Sequence, residues 1–82
     1  MIKSYKIITT QFCHKCPAMK EFMSSQKKLP GEVVNASTPE GLEVAKKFQV
    51  VAVPTVVFLD DNGKMVKKVQ EKGEVEEVLK SL

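Results

Sequence analysis

The sequence predicts an α/β fold: a four-stranded mixed sheet flanked by three helices, in the order β-α-β-α-β-β-α. Three observations predict it. Runs of β-branched residues alternate with runs of helical period. An apolar stretch interrupted by Pro54 ends in the turn Asp60-Asp61-Asn62-Gly63. A last amphipathic segment closes the chain. Strand, helix, strand in succession implies a parallel pair with a right-handed crossover, and the hairpin adds an antiparallel edge.

Each element has its own warrant. Tyr5 to Thr10 is rich in β-branched and aromatic residues and reads as the first strand. From about Cys13 to Lys28, Met19, Phe22 and Met23 recur at helical spacing, with Ala18 alongside, and Leu29-Pro30-Gly31 ends that helix. The methionines are expected in the core. Glu32 to Ala36 reads as a short second strand. Thr38-Pro39-Glu40 starts a helix, with a capping hydroxyl, a proline in the first turn and a carboxylate near the positive end. Leu42, Ala45 and Phe48 are its expected apolar stripe. A proline cannot sit inside a central strand, which places the start of the third strand at Thr55. Lys64 to Gln70 is the antiparallel return. Gly73 opens the last helix, whose Val75, Val78, Leu79 and Leu82 share one face.

With 82 residues the chain is read as one domain, 1–82. A chain of this length buries only about 60–65% of the surface its unfolded form exposes. The 43% apolar content suits a globular core and is too high for a disordered chain. No apolar run approaches the roughly 18 residues of a membrane span, and Met1 to Lys6 carries no signal-peptide core. A cytoplasmic, non-membrane protein is expected. The net charge of +3 is spread among ten acidic residues, without Trp or Arg, so no basic stripe for nucleic acid is evident. The pairs Lys27-Lys28, Lys46-Lys47 and Lys67-Lys68 read as solvated faces.

Both cysteines fall in Cys13-His14-Lys15-Cys16. A pair this close cannot staple distant parts of a fold, which leaves a redox or metal role. Placed where a helix opens, a thiolate meets backbone N–H groups without intrahelical partners and the positive end of the dipole, and both lower a thiol pKa. His14 and Lys15 add two basic groups beside it. Residues three apart share a helical face, so Cys16 can reach the sulfur of Cys13. In the expected cycle Cys13 attacks a partner disulfide and Cys16 resolves the mixed disulfide. Pro17 sits in the first turn, where its missing donor costs little. Zinc and iron–sulfur sites usually take four ligands; two thiols and His14 would need a second subunit to complete one. Phe12 is read as a shield for the sulfurs, a partner contact or ordinary core.

These residues resemble the thioredoxin/glutaredoxin superfamily, at the scale of a small archaeal-type redoxin. The resemblance spans essentially the whole chain. It rests on Cys13-His14-Lys15-Cys16-Pro17 after the first strand, Val53-Pro54-Thr55 before the third, and Asp61-Asn62-Gly63-Lys64 in the hairpin. It implies a minimal thioredoxin fold that lacks the extra N-terminal strand and helix of full thioredoxins. It also implies a cis Pro54 beside the cysteines and substrate binding at Val53, Pro54 and Thr55, with the Val53 backbone pairing an extended segment. Phe12 stands where thioredoxins carry Trp, and His14-Lys15 where they carry Gly-Pro. The segment Val69-Gln70-Glu71-Lys72-Gly73 only loosely matches the glutathione-gripping segment of glutaredoxins.

The function expected is a thiol–disulfide oxidoreductase reducing disulfides in protein partners. Cys13 and Cys16 are catalytic, Phe12, His14, Lys15 and Pro17 modulate them, and no metal or cofactor is expected. A reductase or glutathione would supply the electrons, and the protein would act as a monomer. The alternatives are a glutathione-dependent glutaredoxin, a dimeric metal or iron–sulfur module, and a redox-dead interaction domain.

Overall fold

The computed structural model describes residues 2–26 and 28–82. Seven elements follow in the expected order: β1 (Ser4–Thr9), α1 (Cys16–Ser25), β2 (Gly31–Asn35), α2 (Pro39–Lys47), β3 (Thr55–Leu59), β4 (Met65–Val69) and α3 (Lys72–Lys80). The sheet order is β2-β1-β3-β4. β1 runs parallel to β2, with Ile7 opposite Val33, and antiparallel to β3, with Ile7 opposite Val56. β3 and β4 form the antiparallel hairpin. This is the minimal thioredoxin fold.

The central strands are apolar on both faces because both faces are covered. Along β1, Tyr5 and Ile7 point to one side and Ile8 to the other; along β3, Val56 and Phe58 oppose Val57 and Leu59. Tyr5, Ile7, Val56 and Phe58 pack with Met19 and Met23 of α1, Val69 of β4, and Val75, Val78 and Leu79 of α3. The opposite face joins Ile8, Val57 and Leu59 to Ala45 and Phe48 at α2. The methionines are core residues, as expected.

Three sequence expectations are corrected. The first helix spans Cys16–Ser25, not residues 13–28. Pro17 has no N–H to donate to the Cys13 carbonyl, the bond that would extend the helix upstream. At the other end Gln26 is extended, and its side-chain oxygen accepts from the backbone N–H groups of Lys28 (2.9 Å) and Leu29 (3.2 Å), closing the turn. On α2, Leu42 is 45% exposed and Gly41 is buried instead. A Cβ on Gly41 would overlap the Asn35 carbonyl, so the helix faces the sheet through its smallest residue. Leu82 lies beyond α3 and is 48% exposed rather than part of its apolar face.

Local chemistry sets the remaining ends. The Thr38 hydroxyl caps α2 by accepting from Gly41 N–H at 3.0 Å. At its C-terminus, Gln49 N–H bonds to Lys46 O and Val50 N–H to Ala45 O, with Gln49 at φ 55°. This is a Schellman closure with glutamine in the left-handed position that glycine favours. In the hairpin turn the Asp60 carboxylate accepts from the N–H groups of Lys64 (2.9 Å) and Asn62 (2.8 Å). The Lys64 bond, followed by the Asn62 bond, holds its pKa below the ordinary carboxylate value.

Candidate active site

The site is built where β1 hands over to α1. After Thr9, Thr10 O accepts from Cys13 N–H at 3.3 Å, which turns the chain. Gln11 N–H donates to the Ser37 hydroxyl at 3.2 Å and ties this loop to the start of α2. Lys15 is the N-cap of α1, and the first helical bond runs from Met19 N–H to Lys15 O at 3.3 Å. The first-turn donors above it have no intrahelical partner. No acidic residue occupies that turn. Cys16 is therefore the first helical residue, and Cys13 lies three residues earlier, in the loop rather than in the helix.

Cys13 and Cys16 are joined in a disulfide, with Cα atoms 5.4 Å apart. Cys16 is 2% exposed, packed at the base of the helix, whereas Cys13 is half-buried. The outer sulfur position and the sheltered one are set by the chain path alone.

Beside the disulfide runs a groove of about 410 Å³, and both spacer residues, His14 and Lys15, line it. Ala18 and Met19 of α1 continue its wall. Pro54 borders it, and Gln70, Glu71 and Lys72, leading into α3, close the other side. The Val53–Pro54 peptide is cis, as the resemblance implied. Among the expected substrate-binding residues only Pro54 lines this groove. The Val53 side chain packs against the α2-side core. Thr55 is buried, and its hydroxyl donates to Ala52 O at 2.6 Å. Phe12 is 81% exposed, which removes the core reading and leaves it on the surface beside the cysteines. Pro17 is exposed in the first turn of α1. Gln70, Glu71 and Lys72 were not among the expected site residues. The one sequence signal was the loose match of Val69 to Gly73 to the glutathione-gripping segment of glutaredoxins, and the β1-β3-β4 order is what brings them opposite α1.

Among the described residues no group of three or more His, Cys, Asp or Glu side chains is placed to hold a metal ion. No described helix is long and apolar enough to cross a membrane.

The fold and the disulfide-forming pair together define a thioredoxin-like protein and support thiol–disulfide oxidoreductase chemistry. Residues 3–80 match the family model described as "Thioredoxin domain", and the chain belongs to that family. No curated protein sequence matches it. Solved structures similar to it include thioredoxin f from spinach chloroplast (TM-score 0.79, 21% identity, 98% of this chain and 76% of that one). Thioredoxin 1 from Thermosipho africanus aligns with TM-score 0.75 and 22% identity over 94% of this chain and 86% of that one. A thioredoxin from Thermus thermophilus gives 0.71 and 23% over 95% and 71%. At these identities the structural likeness speaks to the fold.

Proposed function

We propose that the protein reduces disulfides in protein partners through a reversible Cys13–Cys16 dithiol. The observation that carries this reading is the unequal exposure of the linked pair, half-buried Cys13 against Cys16 at 2%. In the reduced protein the Cys13 thiolate attacks one sulfur of the partner's disulfide. A mixed disulfide forms, and the other partner sulfur leaves as a thiolate and takes a proton. The Cys16 thiol loses its proton to solvent and attacks the Cys13 sulfur. The second partner sulfur leaves and is protonated. Two electrons pass to the partner, which gains two thiols, and the protein is left as the disulfide. An external dithiol, most simply a protein reductase, returns it to the dithiol. The open first turn of α1, without acidic residues, favours the thiolate. Phe12, His14, Lys15 and Pro17 tune the pair, and Pro54 with the Val53 backbone before it faces the substrate, while Thr55, buried and paired with Ile8, supports that corner from within the sheet.

The test is reduction of insulin disulfides with dithiothreitol, repeated with glutathione as the only reductant. Turnover with the dithiol alone is expected. Cys13→Ser abolishes it, and Cys16→Ser accumulates mixed disulfides with partners. The reduction potential separates the donors, since thioredoxin-type pairs lie near about −270 mV and glutaredoxins near about −200 to −230 mV. Efficient turnover with glutathione, or activity that survives Cys13→Ser, overturns the reading.

A further inference from the structure

We infer that the groove beside the disulfide selects protein segments carrying an acidic side chain close to their disulfide, with Lys72 as the specificity-determining residue. This rests on the disulfide-reductase reading above. Lys15 and Lys72 line the groove from opposite sides, with His14 beside Lys15, against the one carboxylate of Glu71. Neither lysine is in an ion pair among the described residues, where the pair found is Lys6–Glu32 on β1 and β2. The nearby Glu74 carboxylate is turned to its own backbone, accepting from Gln70 N–H at 3.4 Å. Lys72 also borders a smaller hollow that Glu21 lines, without an ion pair between them. The groove thus offers two lysine ammonium groups to whatever segment lies across Pro54.

An extended segment held there places its disulfide at Cys13 and its flanking side chains over Lys15 or Lys72. A carboxylate in that place is attracted by both lysines, and a lysine is repelled. Exposed charges make this a modest, salt-screened preference that acts mainly on association. Lys15 sits between the cysteines, so changing it alters the sulfur chemistry as well as binding. Lys72 heads α3 and is remote in sequence from both cysteines. Its effect reads out as substrate choice.

The experiment uses pre-reduced full-length protein mixed with disulfide peptides matched in length, one flanked by Asp and one by Lys. A small neutral aromatic disulfide and glutathione disulfide complete the set. Second-order rate constants come from rapid acid quench. At low salt the acidic peptide is expected to react about fivefold faster than the basic one, and the ratio falls towards unity at about 0.5 M salt. Lys72→Glu inverts the ratio and Lys72→Gln brings it close to one. Lys46→Glu changes net charge equally, on α2 across the sheet, and leaves the ratio in place. Equal rates for both peptides with the wild type overturn the inference alone. So does an equal loss of preference in Lys46→Glu, or an acidic preference confined to glutathione disulfide. Failure to react with any of the four disulfides overturns the redox reading, and the inference with it.

Discussion

The two faces of the sheet are built to different depths. Among the described residues, the face under α1 and α3 joins ten buried residues into one cluster, including Phe58, Met23 and Val75. The face under α2 joins five, among them Ile8 and Val57, and relies on half-buried neighbours such as Val44, Val50 and Val53. Beside that thin layer Leu42 is 45% exposed and Val51 92%. Cys16 is planted in α1, on the deep side. The loop from Val50 to Pro54, whose last residue borders the groove, is hung from the shallow side. One wall of the site is thus held by a well-filled core and the other by a helix with little beneath it. Local opening follows low contact density, so the Pro54 wall is the more adaptable of the two.

The contrast can be broken most directly by cavity mutations on neighbouring residues of β3. Phe58→Ala, on the deep face, is expected to cost about 4 kcal/mol, a large part of a small domain's stability. Leu59→Ala, on the shallow face, should cost about 2 kcal/mol. Urea midpoints of the two variants measure the difference, and equal losses would show the faces to be energetically alike. Gly41→Ala comes next. Its Cβ meets the Asn35 carbonyl, which cannot swing aside as a side chain can, and a loss of about 1–3 kcal/mol is expected. Hydrogen exchange in that variant should quicken in α2 before α1.

A smaller change runs in the stabilising direction. Gln49→Gly relieves the left-handed conformation at φ 55° and should add about 0.5–1 kcal/mol, read as a raised thermal midpoint. Lys68 supports this corner by donating to Gln49 O at 2.9 Å, so the gain should persist only while that bond is kept. The smallest effect concerns Asp60 in the hairpin turn. Its folded pKa lies below the model-compound value of 3.8 because of the Lys64 and Asn62 N–H bonds. A depressed carboxyl contributes stability that is complete above the unfolded pKa and is lost as pH falls through the folded one. Asp60→Ala should flatten the stability profile below about pH 4 and leave its slope above pH 5 unchanged. An unaltered acid limb in that variant would show that the turn does not depend on this charge.

Much of this was legible in the chain because it is local. β-branched runs, the Thr38-Pro39-Glu40 cap, Pro54 and the Asp-Asn-Gly turn each act on their own backbone, and every element except α1 lies within a residue or two of where they place it. The cysteine pair was legible for the same reason, since three residues of separation bring two sulfurs within reach whatever surrounds them. Leu42 was misplaced because helical period identifies a stripe without saying how closely the sheet approaches. Gly41 wins that position on the distance to Asn35, a residue of β2. The start of α1 was misread by three residues, because an apolar pattern does not register the constraint that Pro17 imposes upstream.

By itself, then, the sequence determined the elements, their order, the apolar runs of β1 and β3, and the dithiol. The tertiary structure alone decided that β1 lies between β2 and β3, that Cys16 is sheltered while Cys13 is half-exposed, and that Gln70, Glu71 and Lys72 face His14 and Lys15 across Pro54. The division has one physical cause. Propensity, capping and turn chemistry act over a few residues along the chain. A groove is made by residues more than fifty positions apart, and their meeting depends on how the strands pack beside one another.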